Sequence, residues 1–193
     1  MTPLDILIMA AGKGTRMKSR IPKVLQRLGG RALLHHVLDQ AAHLQARSAI
    51  VITGHCATEV EAATAGTASV GGGFDLKFVR QEPQLGTGHA VQQAVPQLQD
   101  DGTVVVLSGD VPLTQADTLR ALVAASQAVP GGQLALLTVT MDDPTGYGRI
   151  VRNADGAVQG IVEHKDASEA QRAITEIYSG IMAVPARLLR GWL

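Results

Sequence analysis

A positively charged segment follows a glycine loop near the amino terminus. Seven of the seventeen Lys and Arg residues lie between positions 13 and 31, a stretch without Asp or Glu. The seven are Lys13, Arg16, Lys18, Arg20, Lys23, Arg27 and Arg31. Gly12 and Gly14 let backbone N–H groups approach an anion closely, and Lys and Arg donate hydrogen bonds to phosphate oxygens. Because the formal net charge of the chain is zero, this local excess of cations predicts a site for a small polyanion.

The glycine loop differs from two common phosphate-binding motifs. Met17 stands where a dinucleotide-binding fingerprint has its third glycine, and the next carboxylate is Asp39, so the acid that would bind a ribose is missing. The loop therefore argues against a redox dinucleotide. Thr15 and Arg16 follow Gly14, so the Gly-Lys-Ser/Thr ending of a P-loop is absent as well.

A carboxylate follows the most β-branched run of the chain, residues 103–108. Asp110 would lie at the carboxyl end of a strand, where ligands of open α/β sheets bind. One carboxylate together with phosphate oxygens and water suits Mg²⁺. On the residues alone, a turn-forming Asp before Val111 and Pro112 is an equal alternative.

Composition limits the class of protein. A chain of 193 residues with 46% hydrophobic residues is long enough to bury the core of one domain. Cys56 is the single cysteine and cannot form an internal disulfide, the amino terminus has no signal-peptide pattern, and no apolar run is long enough to span a membrane. We therefore expect a cytoplasmic location and no membrane partner. The aromatic content of 3% and the zero net charge argue against nucleic acid.

Short apolar runs alternate with amphipathic segments. Strands are predicted at residues 4–9, 48–53, 76–79, 103–108, 133–140, 146–151, 158–163 and 177–184, and helices at 33–44, 89–98, from a capping box at 114–117 to 127, near 166–174 and from 187. Near-continuous β-branched strands indicate a sheet buried on both faces. The pattern predicts an α/β fold, a Rossmann-like mixed and mostly parallel sheet with helices on both faces. We expect one domain, 1–193, truncated at its carboxyl-terminal end, because the chain stops without a polar tail.

The motifs resemble a known family. The loop Ala10-Ala11-Gly12-Lys13-Gly14-Thr15-Arg16-Met17, with Pro22-Lys23-Val24-Leu25 after it, resembles the signature of the sugar-nucleotide pyrophosphorylases. Four further blocks resemble the uridylyltransferase domain of bacterial bifunctional N-acetylglucosamine-1-phosphate uridylyltransferase/glucosamine-1-phosphate acetyltransferase. They are Gln-Leu-Gly-Thr-Gly-His-Ala at 84–90, Gly-Asp-Val-Pro-Leu at 109–113, Asp-Pro-Thr-Gly-Tyr-Gly-Arg-Ile at 143–150 and Ile-Val-Glu-His-Lys-Asp at 161–166.

The resemblance implies a nucleotide-diphospho-sugar transferase fold and a reaction. Family members transfer UMP from UTP to N-acetylglucosamine 1-phosphate, which gives UDP-N-acetylglucosamine and pyrophosphate for peptidoglycan and lipopolysaccharide precursors. The implied catalytic residues are Arg16, on the β- and γ-phosphates, and Lys23, on the α-phosphate and the incoming phosphate. Asp110 is implied as a ligand of Mg²⁺. Substrate-binding residues are implied at Ala10, Ala11, Gly12, Lys13, Gly14, Gln81, Gly86, Thr87, Gly148, Glu163 and Tyr178.

Some features of the family are altered or missing here. Tyr178 stands where the family commonly has Asn, which puts the acceptor contacts at that position in question. A second metal ligand, an Asn, belongs beyond residue 193, as does the acetyltransferase β-helix domain through which the family forms homotrimers. A pyrophosphorylase for another nucleotide sugar and an inactive fragment that binds UTP or UDP-sugar remain as alternatives.

Two further groups of residues have simpler interpretations. We expect Lys18, Arg20, Arg27 and Arg31 to be solvated surface charges. His89 is expected to begin a helix, and His35, His36 and His43 are expected to be solvated.

Overall fold

A computed structural model describes residues 2–14, 17–65 and 73–193 of the chain. Its strands are β1 (Leu4–Met9), β2 (Arg27–Leu28), β3 (Arg31–Ala32), β4 (Ser48–Thr53), β5 (Asp75–Arg80), β6 (Thr103–Ser108), β7 (Ala135–Thr140), β8 (Arg149–Arg152), β9 (Val158–Val162) and β10 (Glu176–Pro185). Its helices are α1 (Leu33–His43), α2 (Ala57–Thr64), α3 (Thr87–Ala94), α4 (Ala116–Ser126), α5 (Glu169–Arg172) and α6 (Ala186–Trp192). Lys23–Leu25 and Val95–Gln97 form single turns of 3₁₀-helix. The chain divides into two compact units, Met1–Ala135 with Met182–Leu193, and Leu136–Ile181.

The first unit is built on a parallel sheet. Its strands lie in the order β5-β4-β1-β6, and every neighbouring pair among them is parallel. The last residues of β10, 182–185, pair antiparallel with β6. The predicted mixed, mostly parallel α/β sheet is therefore confirmed.

The central strands are buried on both faces because helices cover the sheet from both sides. One face of β1, β4 and β6 packs with residues of α3 and α6 in a single apolar cluster. The alternate side chains of the same strands, such as Ile6, Ile8 and Val105, are also fully buried. Helices α1 and α2 contact β4, and α4 contacts β6. The buried positions of α1, Leu34, Val37, Leu38 and Ala41, have the spacing of one apolar helix face.

The second unit is a smaller group of strands. Strands β8 and β9 are antiparallel, and Ile177 of β10 lies opposite Arg149 of β8. Strand β7 also pairs with β10. Strand β8 is therefore antiparallel to both of its neighbours in this unit.

Several predicted boundaries were wrong. No capping box forms at Thr114, because α4 begins one residue later than the motif requires, with Gln115 at its N-cap and no side-chain cap. The capping box lies instead at Ser168 and Gln171, around a helix of only four residues. Helix α3 begins at Thr87 rather than at residue 89, and it ends at Ala94 because Pro96 has no N–H to donate.

Candidate functional site

A cavity of about 710 Å³ opens in the first unit at the carboxyl edge of its parallel sheet. Ten of the residues implied by the resemblance line it: Ala10, Ala11, Gly12, Lys13, Gly14, Lys23, Gln81, Gly86, Thr87 and Asp110. Arg16 lies outside the described residues. Gly148, Glu163 and Tyr178 belong to the second unit.

Strand direction places three loops at this cavity. The Ala10 N–H donates to the Ile52 carbonyl at 2.8 Å, and the Gln81 N–H donates to the Thr53 carbonyl at 2.8 Å. The segments that follow β1 and β5 therefore leave the sheet just after these residues. The Gly109 N–H likewise donates to the Met9 carbonyl at 2.9 Å. Because β1, β5 and β6 are parallel, the glycine loop, Gln81 and Asp110 emerge on the same edge.

Lys23 and Asp110 form the charged centre of the cavity. The Lys23 ammonium pairs with Oδ2 of Asp110, and the Ser108 hydroxyl donates to Oδ1 of the same carboxylate. Burial works to raise the pKa of Asp110, but the hydrogen bonds from Lys23 and Ser108 and the charge of Lys23 outweigh it, so the net pKa is below the ordinary value. Asp110 is therefore ionised at neutral pH.

Glycine is required at position 14 to bring Lys23 close to the loop. Gly14 has φ +57°, and a Cβ there would lie 2.9 Å from the Cβ of Lys23. Lys23 begins a single turn of 3₁₀-helix whose next residue, Val24, is buried. The loop and the lysine are consequently packed backbone against side chain.

The donor set fits a divalent cation that also binds phosphate. No group of three or more His, Cys, Asp and Glu side chains in the described ranges is arranged to hold a metal by itself. Asp110 offers an ionised carboxylate, and its partner in the structure is already a cation, the Lys23 ammonium. A hard cation with one carboxylate ligand takes its remaining ligands from phosphate oxygens and water.

The far side of the cavity presents an amide beside a glycine turn. Gln81 is 4% exposed, and its Nε2 donates to the Gly86 carbonyl at 2.8 Å. Gly86 has φ +107° and precedes α3, which begins at Thr87. An amide and nearby main-chain groups of this kind provide the donors and acceptors that read the edge of a nucleobase.

The predicted acceptor residues lie together in the second unit. The Tyr178 N–H donates to the Gly148 carbonyl at 2.9 Å. A Cβ at Gly148 would lie 2.9 Å from Ile161 and 3.5 Å from Oε1 of Glu163, so glycine permits this close approach. Burial raises the pKa of the Tyr178 phenol to about 12, so the phenol stays protonated and can donate a hydrogen bond at neutral pH.

The structure also identifies residues that the sequence did not single out. Arg149 is 1% exposed, its guanidinium donates to the Tyr147 carbonyl, and it lies 3.2 Å from Nδ1 of His164. Arg149 belongs to the block at 143–150, but no role was predicted for its side chain. Ser108 was likewise predicted only as the last residue of a strand.

The remaining basic residues and histidines have mixed outcomes. Lys18, Arg20, Arg27 and Arg31 are exposed, as expected. The prediction that His35 and His36 are solvated was wrong: both are half-buried, and their Nε2 atoms lie 2.9 Å from the carbonyls of Ala63 and Leu28. His43 is exposed, and His89 is in the first turn of α3.

None of the helices within the described ranges is both long enough and apolar enough to cross a membrane.

Comparisons with known proteins agree on one family. The model of the MobA-like NTP transferase domain matches residues 6–173. The chain is 77% identical over its whole length to the bifunctional protein GlmU of Acidovorax sp. (strain JS42) and 75% identical to that of Paracidovorax citrulli (strain AAC00-1), and it covers 40% of each. The chain thus spans about two fifths of the length of these relatives.

Two solved structures share the fold. A putative glucose-1-phosphate thymidylyltransferase from Bacillus anthracis superposes with a TM-score of 0.78 at 17% identity, over 97% of this chain and 73% of that one. HddC from Yersinia pseudotuberculosis gives a TM-score of 0.70 at 20% identity, over 97% and 79% of the two chains.

Proposed function

The chain belongs to the MobA-like NTP transferase family, and we propose that it transfers UMP from UTP to N-acetylglucosamine 1-phosphate. The products are UDP-N-acetylglucosamine and pyrophosphate, and the sugar nucleotide serves peptidoglycan and lipopolysaccharide synthesis. The five sequence blocks support this proposal, as do matches over the whole of this chain, and 40% of each relative, to proteins named bifunctional protein GlmU.

One observation carries the proposal. A single cavity is lined by the glycine loop, the Lys23–Asp110 pair and the Gln81–Gly86 turn. The first provides backbone N–H groups for phosphates, the second provides charge at the reacting centre, and the third provides hydrogen-bonding groups for a base. The cavity thus offers groups for the phosphates, the reacting centre and the base of a nucleoside triphosphate, and its volume suits such a ligand.

The chemistry requires positioning and charge neutralisation. An oxygen of the sugar phosphate attacks the α-phosphorus of UTP, and the bond to the bridging oxygen of pyrophosphate breaks, so no protein nucleophile is needed. Lys23 holds the α-phosphate and the incoming phosphate together, which makes the step effectively unimolecular. We assign Arg16 and Lys13 to the charge of the leaving pyrophosphate, following the resemblance.

Asp110 is the proposed protein ligand of Mg²⁺. When bound, Mg²⁺ supplies positive charge that neutralises the phosphate oxygens. The residues around Asp110 keep the carboxylate ionised, which is the form that a cation needs.

The second unit supplies the proposed acceptor site. The Gly148 N–H and the Glu163 carboxylate bind the N-acetyl group and hydroxyls of the sugar. Tyr178 replaces the amide of the family with a phenol that stays protonated, so it donates one hydrogen bond and offers no amide.

The chain is further proposed to be the nucleotidyltransferase part of a longer bifunctional cytoplasmic protein. Its coverage of 40% of the relatives supports this view. The homotrimer formed through an acetyltransferase domain stays a prediction for that longer protein.

A substrate panel tests the proposal. Pyrophosphate release is measured with UTP, CTP, dTTP and ATP, each with N-acetylglucosamine 1-phosphate or glucose 1-phosphate. We expect the UTP and N-acetylglucosamine 1-phosphate pair to be used best, and a preference for dTTP with glucose 1-phosphate would overturn the assignment. Lys23→Ala should lower kcat, whereas Lys18→Ala, which changes an exposed lysine outside the cavity lining, should not.

Calorimetric titration with UTP accompanies the panel. Binding without pyrophosphate release would indicate that the chain acts only as a nucleotide-binding module. Release that depends on Mg²⁺ and is weakened by Asp110→Asn would support the role of the carboxylate.

A further inference from the structure

A row of polar side chains lies behind the Gln81–Gly86 turn, the part of the cavity proposed to bind the nucleobase. Gln81 Nε2 lies 2.8 Å from the Gly86 carbonyl and 3.2 Å from Nδ1 of His89. On the other side of the ring, Gln93 Nε2 lies 3.1 Å from Nε2 of His89 and 3.1 Å from the His89 carbonyl. His89 and Gln93 lie one turn apart on α3, so the helix places both behind Gln81.

The ring of His89 cannot accept from both amides. A neutral imidazole has one N–H donor and one acceptor nitrogen, yet an amide nitrogen faces each of its two ring nitrogens. One amide must therefore point its oxygen at the ring, and the nitrogen and oxygen ends of an amide have nearly the same shape.

Burial decides which amide turns. If Gln81 turned, its oxygen would lie 2.8 Å from the Gly86 carbonyl oxygen at a site that is only 4% exposed, and two acceptors would repel each other there. Turning Gln93 also brings its oxygen near a carbonyl oxygen, that of His89, but Gln93 is half-buried, so the two oxygens can separate and each can accept a hydrogen bond from water instead. His89 therefore carries its proton on Nε2, donates it to Gln93, and accepts from Gln81 at Nδ1.

This arrangement uses both amide hydrogens of Gln81. Its Oε1 is left as a free acceptor with respect to the described part of the chain, on a residue that lines the nucleotide cavity. The N3 atom of uracil carries a hydrogen and donates, whereas N3 of cytosine has none and accepts. An amide fixed with its oxygen outward thus attracts the uracil edge and repels the cytosine edge.

We propose that His89 is a positioning residue that fixes the orientation of the Gln81 amide and thereby selects uridine over cytidine nucleotides. The inference rests on the proposed use of UTP. It adds the residue that holds the base-reading amide in one of its two orientations.

Binding of UTP and CTP to the 193-residue chain tests the inference by calorimetry. His89→Leu leaves the Gln81 amide free to turn, and we expect the ratio of UTP to CTP affinity to fall about tenfold, from the loss of one oriented hydrogen bond. His89→Asn should keep most of the ratio, because its Oδ1 takes the place of Nδ1 as acceptor. His43→Leu, which changes an exposed histidine, is the matched control and should leave the ratio unchanged.

A second measurement does not depend on the folding of a variant. Two-bond ¹H–¹⁵N spectra of the ¹⁵N-labelled wild-type chain report which ring nitrogen of His89 carries the proton. We expect the Nε2–H form, and the Nδ1–H form would overturn the inference.

The outcomes separate this inference from the proposed function. A wild-type chain that prefers UTP, with the same preference in His89→Leu, would reject the role of His89 and leave the function standing. A wild-type chain that binds neither UTP nor CTP would reject both.

Discussion

Replacing Gly14 by Ala should displace Lys23 without touching its ammonium. The new Cβ would lie 2.9 Å from the Lys23 Cβ, whereas ordinary contacts begin at 3.4 Å, so the two must separate by about 0.5 Å. Gly29 provides a matched control, because its φ of +58° almost equals the +57° of Gly14 and a Cβ there meets nothing within 4 Å.

The structure sets different magnitudes for stability and rate. Both substitutions place a non-glycine residue in the left-handed region, at a cost of about 1 kcal/mol in the free energy of unfolding. A misplacement of about 1 Å in a reacting group costs about 100-fold in rate, so a shift of half that size should cost about tenfold. We expect this loss in kcat for pyrophosphate release by Gly14→Ala and no loss by Gly29→Ala.

A double-mutant cycle with Lys23→Ala identifies the cause. Urea unfolding and pyrophosphate release are measured for Gly14→Ala, Lys23→Ala and the double variant. If Gly14→Ala acts through the ammonium, it should slow the Lys23→Ala variant little further, because no ammonium is left to misplace. Equal rate losses in the Gly14→Ala and Gly29→Ala variants, or fully additive losses in the cycle, would refute the reasoning.

Three further predictions follow from the hydrogen bonds that the carboxylates of Asp110, Asp5 and Glu61 accept. Ser108→Ala removes a hydrogen-bond donor to Asp110 and should raise the Mg²⁺ concentration needed for half-maximal UTP binding about fivefold. Ser108→Thr keeps the hydroxyl and should not raise it. The same half-maximal Mg²⁺ concentration in wild type and Ser108→Ala would contradict this prediction. Asp5 is buried and accepts hydrogen bonds of 2.5, 2.7 and 3.1 Å from Arg47 and Ser48. Asp5→Asn should therefore lower the free energy of unfolding, measured in urea, by about 2 kcal/mol. Asp39→Asn, at a more exposed ion pair, should lower it much less. A hydrogen bond from Arg80 of β5 is the main reason why the pKa of Glu61 lies below its ordinary value. The ionised form of Glu61 therefore stabilises the fold above the unfolded pKa of about 4.3. This contribution is lost as the pH falls through the lower pKa of the folded state. The stability difference between wild type and Glu61→Gln should therefore shrink in urea titrations below about pH 4, and a constant difference would contradict the cause.

The sequence predicted the elements whose signal is local and repeated. The short apolar runs of β1, β4 and β6 indicated buried strands, and their alternation with amphipathic segments indicated a mostly parallel sheet. That sheet in turn brings the glycine loop and Asp110 to one edge. Helix α2 was missed because its eight residues carry only two buried positions, Val60 and Thr64, too few to show a periodic apolar face.

Other features depend on side-chain geometry and hydrogen-bond partners that a sequence pattern does not show. The bond from Ser108 to Asp110 exists only because the turn after β6 folds the carboxylate back onto the strand end. His89 looked like an ordinary helix-start residue, and only the positions of Gln81 and Gln93 on either side of its ring give it a role. Arg149 was missed because an arginine on a short strand is usually exposed.

The Lys23–Asp110 pair links the charge pattern of the sequence to the chemistry proposed for the cavity. Burial alone would raise the pKa of Asp110 and favour the protonated carboxyl, which does not bind a cation, and the lysine together with the Ser108 hydroxyl reverses that pKa shift. Lys23→Ala therefore removes a phosphate ligand and also a group that keeps the carboxylate ionised. Ser108→Ala removes only a hydrogen bond to the Asp110 carboxylate, because Lys23, the proposed phosphate ligand, stays in place. Both variants are therefore compared with wild type at saturating Mg²⁺. Any loss of rate in Lys23→Ala that exceeds the loss in Ser108→Ala reports the contact of the lysine with phosphate.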